Sequence, residues 1–216
     1  MRNIILFAIS MALVWNVAAQ QDVKARQILE DVSAKTRSLE TISVDFLFTM
    51  ENDDMDIYEE NEGTLQLKGQ KYVVSLPEIG IKVFSDGETL WNYMEDGNQV
   101  TISYLEDGGS DLMDPSTVFT IYEKGFRSKY IGEKQDGNKS FHQIELYPDS
   151  QEYEMEKILI SVDKQENMIK SARLFGTDGN LYGVDVQKME TGNSLPDSYF
   201  VFNPEKYSDL EVIDFR

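Results

Sequence analysis

Apolar residues first recur at helical spacing and then, for most of the chain, at every second position. Val23, Ile28, Leu29, Val32 and Leu39, with Lys24, Arg26, Glu30, Asp31 and Lys35 between them, predict an amphipathic helix over Asp22 to Leu39. The period then falls to two. Ile42, Val44, Phe46, Phe48 and Met50 alternate with Ser43, Asp45, Leu47 and Thr49, the pattern of a strand with one buried face. Further strands are expected at Leu65–Leu67, Tyr72–Leu76 and Ile81–Phe84, the last two separated by Pro77 and Gly80. Ser85 to Ile102 reads as a hairpin, because Asp86-Gly87 and Asp96-Gly97 supply the positive φ that tight turns need. Between those turns Trp91 and Tyr93 fall on one face, and Leu90, Asn92 and Met94 on the other. Val100, Ile102 and Tyr104 continue the alternation until Asp107-Gly108-Gly109.

At Asp114-Pro115-Ser116 the period changes again. Asp114 can cap, Pro115 suits a first helical position, and Val118, Phe119, Ile121 and Tyr122 form an apolar cluster before Gly125, which predicts a short helix lying over one face or open end of the sheet. Strands resume at Arg127–Gly132, Phe141–Tyr147, Lys157–Val162, Ile169–Phe175, Leu181–Lys188 and Tyr199–Phe202, with Asp136-Gly137-Asn138 and Asp178-Gly179-Asn180 as turns. About a dozen strands without βαβ alternation make the chain mainly β with α, built on a large antiparallel sheet that is strongly curved or partly closed.

Composition narrows the function classes. The 216 residues contain no linker and suit one domain, residues 21–216, behind a segment 1–20 laid out as a secretory signal peptide: Arg2, an apolar run from Ile4 to Val17, then Ala18 and Ala19. With no Cys there is no disulfide, no thiol chemistry and no lipid-modified N-terminal Cys. A formal charge of -19 argues against a nucleic-acid partner. Seven acids and no base between Glu51 and Glu62 predict an exposed hairpin end, without the spacing of a calcium loop. The single His, His142, lies in a strand pattern and has no Cys to act with, so neither a nucleophilic triad, a zinc site nor any cofactor is indicated, and no enzyme activity is expected. The aromatic and aliphatic stripes, taken on composition alone, suit a protein's own core better than a ligand cavity.

The phrase Ser85-Asp86-Gly87-Glu88-Thr89-Leu90-Trp91-Asn92-Tyr93, followed by Gln99-Val100-Thr101, resembles the signature of the outer-membrane lipoprotein carrier family, the LolA-like periplasmic proteins. Gly63-Thr64-Leu65-Gln66-Leu67-Lys68 is similar to that family's Gly-x-Leu-x-Leu/Val-Lys strand. Phe200-Val201-Phe202-Asn203-Pro204 and Glu211 to Arg216 are similar to its C-terminus. Many members have Lys-Arg-Pro where this chain has Lys68-Gly69-Gln70, and the Arg helps hold a helical lid. Either another contact closes the lid here, or Lys68 takes part of the role, or the chain is a divergent relative with different cargo.

The resemblance implies an incomplete β-barrel closed by the N-terminal helix and a short lid helix, around an apolar cavity that receives lipoprotein acyl chains. It implies a non-enzymatic monomer in the periplasm that takes cargo from an inner-membrane ABC-type lipoprotein release complex and passes it to an outer-membrane acceptor. A lipid-sensing or regulatory periplasmic protein on the same fold is the alternative. The residues expected to meet lipid are Ile42, Val44, Phe46, Phe48, Leu65, Leu67, Tyr72, Val74, Leu76, Trp91, Tyr93, Val118, Phe119, Ile121 and Tyr122. The first strands share a parity that puts Ile42, Val44, Phe46, Leu65, Leu67, Tyr72, Val74 and Leu76 on one inward face. Between flanking glycines, the helix of Val118, Phe119 and Ile121 is expected to be a mobile lid that fills the cavity when cargo is absent.

Overall fold

Twelve strands form one sheet in the computed structural model, which describes residues 22–105, 125–150 and 153–216. Helix α1 covers 22–38. The strands are β1 (Ile42–Asn52), β2 (Ile57–Lys68), β3 (Lys71–Leu76), β4 (Ile81–Ser85), β5 (Thr89–Met94), β6 (Gln99–Tyr104), β7 (Phe126–Asp136), β8 (Lys139–Pro148), β9 (Met155–Asp163), β10 (Met168–Gly176), β11 (Leu181–Thr191) and β12 (Glu211–Asp214). Their order is β12-β6-β5-β4-β3-β2-β1-β11-β10-β9-β8-β7, a curved sheet that is not closed into a barrel. The expected signal segment 1–20 and the expected helix at Asp114–Tyr122 lie outside the described residues.

Turn chemistry fixes the registers. Asp86 Oδ1 accepts from the backbone N–H groups of Glu88 at 3.0 Å and Thr89 at 2.8 Å, and Gly87 takes φ 95°, so Ser85 comes to face Leu90 across the hairpin. Asp163 does the same between β9 and β10, accepting from Gln165 at 2.8 Å and Glu166 at 3.1 Å.

Three sequence expectations need correction. Tyr199–Phe202 is not a strand: Asp197–Phe200 makes a single 3-10 turn, with Pro196 and Pro204 on either side unable to donate to a ladder. The last strand is instead Glu211–Asp214, and it pairs parallel with β6 in an otherwise antiparallel sheet. The acidic stretch is a hairpin end only at residues 53–56; Ile57 to Glu62 continue as strand β2, because pairing with β1 outweighs repulsion between carboxylates that point into water.

The two faces of the sheet carry different covers. On one, α1 buries Ala25, Ile28, Leu29 and Val32 against β7–β10, meeting Ile144, Leu146, Ile158 and Ile160. On the other, the strap from Gly192 to Leu210 runs from the end of β11 to the start of β12, pressing Phe200, Phe202 and Leu195 onto Val73, Phe84, Trp91, Tyr93 and Val100. Its path is marked by hydrogen bonds: Thr41 Oγ1 donates to the Asn193 carbonyl at 2.6 Å, Lys68 Nζ to the Leu195 carbonyl at 2.8 Å, and Asn98 Nδ2 to the Ser208 carbonyl at 2.8 Å.

Candidate functional site

The α1 side of the sheet continues beyond the helix as a largely apolar stretch over β1–β5 and β11, with Asn61 and Ser85 as its buried polar members. Ile42 faces Leu67, which faces Tyr72; Val44 faces Leu65, which faces Val74; Val83 lies beside Val74 on the next strand. On the other flank Val186 lies opposite Phe46 and Val184 opposite Phe48. With Leu76 and Leu90 they form one cluster, every member of it at most 9% exposed. Backbone register alone puts these side chains together, since residues opposite one another on neighbouring strands share a face.

Phe46 has a particular seat. It lies opposite Gly63 on β2, and a Cβ built on Gly63 would stand 2.9 Å from Leu76 Cδ2 and closer still to the Phe46 ring. The outer edge of the aromatic ring therefore occupies the space a side chain at Gly63 would need. This is the reason for a glycine inside a strand that otherwise alternates.

Among the described residues, those expected to meet lipid divide in two. Ile42, Val44, Phe46, Phe48, Leu65, Leu67, Tyr72, Val74 and Leu76 belong to the apolar cluster on the α1 side. Trp91 and Tyr93 lie on the opposite face, beneath the strap, where Tyr93 sits 5.7 Å from Phe202 and 4.4 Å from Tyr207 between ring centroids, and Phe84 meets Phe202 edge-on at 5.5 Å. They are core of a different layer. Val118, Phe119, Ile121 and Tyr122 lie outside the described residues. Sequence reasoning missed Val83, Leu90, Met168, Val184 and Val186, all members of the same cluster. The first two were reachable by carrying parity through the Asp86-Gly87 turn: Tyr72 faces Ser85 and Ser85 faces Leu90, so Leu90, not Trp91, shares the face of Leu67. Val184 and Val186 needed the knowledge that β11 returns to lie beside β1, and Met168 that β10 lies beside β11.

Charge gathers away from this patch. Lys68, the residue before the Gly69 that stands where many family members have an arginine, holds the strap: its Nζ meets Asp197 at 2.9 Å, and Lys71 meets the other oxygen at 2.8 Å. Hydrogen bonds from Lys71 and Lys68 bring the Asp197 carboxyl down to about 2. His142 stands against the Tyr130 ring at 5.7 Å; burial, and then Lys164, push its pKa down. Among the described residues no group of three or more His, Cys, Asp or Glu could hold a metal ion, and no helix is long and apolar enough to cross a membrane.

The family model for "Outer membrane lipoprotein carrier protein LolA" matches residues 37–203. Among solved structures, an uncharacterized conserved protein from Thermus thermophilus superposes with a TM-score of 0.59 at 15% identity, over 88% of this chain and 99% of that one. A LolA superfamily protein from Nitrosomonas europaea gives 0.48 at 14% identity, over 82% and 97%. A putative outer membrane lipoprotein-sorting protein domain from Vibrio parahaemolyticus gives 0.45 at 9% identity, over 82% and 97%. No curated protein matches in sequence.

Proposed function

The chain belongs to the LolA family of outer membrane lipoprotein carrier proteins, and on that premise we propose that it is a periplasmic carrier which holds the acyl chains of lipoproteins against the apolar α1-side face and hands them toward the outer membrane. One observation carries the reading: a contiguous patch from Ile42 to Leu90 and across to Val186, free of charged side chains, on the face that α1 covers only over β7–β10. Cargo would come from an inner-membrane ABC-type release complex and pass to an outer-membrane acceptor, with no reaction catalysed by the carrier.

The thermodynamics of such a task are restrictive. Burying acyl chain gains about 0.8 kcal/mol per methylene, on the order of 10 kcal/mol for one long chain, so complete burial would hold cargo almost irreversibly. A carrier on this face must leave chains partly exposed or offset their burial by displacing packed side chains.

The experiment is mass spectrometry of the protein recovered from the periplasm. The expected result is co-purifying lipoprotein, retained by wild type and reduced when Leu67 and Val74 are both changed to Asn. Recovery free of lipoprotein, together with failure of the purified protein to bind a triacylated peptide, would refute the proposal.

A further inference from the structure

Asn61 stands on the apolar α1-side face with its polar atoms unused. It lies opposite Phe48 on β1 and two residues from Gly63, so it shares the inward face of Phe46, Phe48 and Leu76. The residue is 7% exposed, and among the described residues its amide has no hydrogen-bond partner. Its polar neighbours on this face are accounted for. Ser85 Oγ accepts from the Gly87 N–H at 3.2 Å; Asn52 Nδ2 donates to Asn180 Oδ1 at 2.6 Å, while Asn52 Oδ1 accepts from the Met55 N–H at 3.1 Å. Every fully enclosed side-chain nitrogen or oxygen among the described residues has a partner, so the unpaired amide of Asn61 opens onto space that another molecule can reach.

The position is a border. On one side of Asn61 the face continues along β1 and β2 as Phe46, Val44 and Leu65, then Ile42 and Leu67; on the other it is Met50 opposite the exposed Glu59, and then the hairpin end with Asp53, Asp54 and Asp56. From Phe48 back to Ile42, β1 runs about 20 Å, the length of a long acyl chain laid straight. On the β11 flank of Phe48 the border is polar as well, since Tyr182 stacks on Phe48 at 6.4 Å between ring centroids and its hydroxyl accepts from Asn180 Nδ2 at 3.2 Å. An acyl chain lying on the apolar side reaches this border with its carbonyl, a neutral acceptor of the kind that Nδ2 needs. Seven acids and no base between Glu51 and Glu62 disfavour an anion at the same place.

We propose that Asn61 is the polar anchor of the lipid site: Nδ2 donates to the ester carbonyl at the head of an acyl chain, which then runs along β1 and β2 toward Ile42 and Leu67. The inference rests on the carrier reading and adds which way a chain lies and what fixes its head. A buried amide without a partner destabilises the empty protein, and a carbonyl relieves that only in the loaded one, so the group discriminates between lipids that have a carbonyl at this place and lipids that lack it. Lipoproteins and phospholipids carry the same glyceryl ester. A phospholipid, however, brings its phosphate to the acidic hairpin end, so the anchor favours an acyl chain on an uncharged head.

The test pairs two lipids that differ in one carbonyl, 1-palmitoylglycerol and 1-O-hexadecylglycerol, as competitors of a fluorescent acylglycerol on wild type, Asn61→Leu and Asn61→Asp. Wild type should bind the ester about tenfold more tightly than the ether, the equivalent of about 1.4 kcal/mol. Neither variant has the donor, so neither should prefer the ester. Asn61→Leu keeps the volume and removes the unpaired amide, so its thermal midpoint without lipid should rise by about 2–4 °C. An ester preference that is absent from wild type or equal in all three proteins, or a lowered midpoint in Asn61→Leu, overturns the anchor while leaving the carrier reading intact. Equal affinity of wild type for dipalmitoylphosphatidylglycerol and for an uncharged dipalmitoylglyceryl peptide overturns the preference for an uncharged head. Absence of saturable binding by all three proteins overturns the anchor and the carrier reading together.

Discussion

Replacing Gly63 by Ala should destabilise the protein even though alanine is the better strand residue. Gly63 does not have positive φ, so the backbone accepts a side chain; the obstacle is the ring of Phe46, with Leu76 Cδ2 at 2.9 Å from the new Cβ on the other side. Phe46 is 2% exposed and cannot swing into water, so the added methyl forces an overpacked core, which costs about 1–3 kcal/mol. For a chain of this size each kcal/mol lowers Tm by about 2–4 °C. Phe46→Leu alone trims the same spot and should cost about 1 kcal/mol. Combined, the two changes should fit each other, so the double variant should be more stable than the sum of the single losses by about 1–2 kcal/mol, within the range that contacting residues show. Urea unfolding of the four proteins followed by circular dichroism closes the cycle. Additivity within about 0.5 kcal/mol would refute the idea that the ring occupies the space a side chain at Gly63 would need.

Lipid location can be read from tryptophan fluorescence: brominated acyl chains should quench Tyr72→Trp, on the α1 side, and leave Trp91, under the strap, nearly untouched in wild type; equal quenching of both would contradict the division of faces. Phe202→Ala should cost about 3–5 kcal/mol, since the ring is 4% exposed and meets Phe84, Tyr93 and Tyr207, and it should raise acrylamide quenching of Trp91; unchanged quenching would mean that the strap is held otherwise. Asp197, depressed to about 2 from an unfolded value near 3.9, contributes to strap docking above about pH 4 and loses that contribution as pH falls through about 2. Hydrogen exchange of residues 195–207 should therefore lose protection between those values in wild type and show no such step in Asp197→Asn.

Much of this arrangement was legible because local rules govern it. The alternation of Ile42, Val44 and Phe46 with Leu65, Leu67, Tyr72 and Val74 specified a common face, and the Asp-Gly turns specified hairpins, since both signals lie within a few residues of what they determine. What could not be read was which face a distant segment would claim. Trp91 and Tyr93 have the pattern of a ligand face, and only the arrival of Phe200 and Phe202 from a hundred residues away makes them core. The same segment misled in its own right: Phe200 and Phe202 alternate like a strand because Val201 between them is extended and exposed, yet the 3-10 turns and prolines on either side deny the segment a ladder. Lys68 shows the converse, a residue beside the missing family arginine that drew attention to a lid, whereas among the described residues it meets Asp197 of the strap.

The parallel joining of β12 to β6 also sets an order in time. Gln99 and Glu211 are 112 residues apart, so the pair can form only once every strand between them has been synthesised. Until then Val73, Phe84, Trp91, Tyr93 and Val100 face water on a finished hairpin stack, an aromatic surface without its cover. Closing so long a loop is slow relative to hairpin formation, so a partly folded species with that surface bare should precede the native state. During folding that bare surface is where aggregation would start, and the window of greatest risk closes when the strap docks.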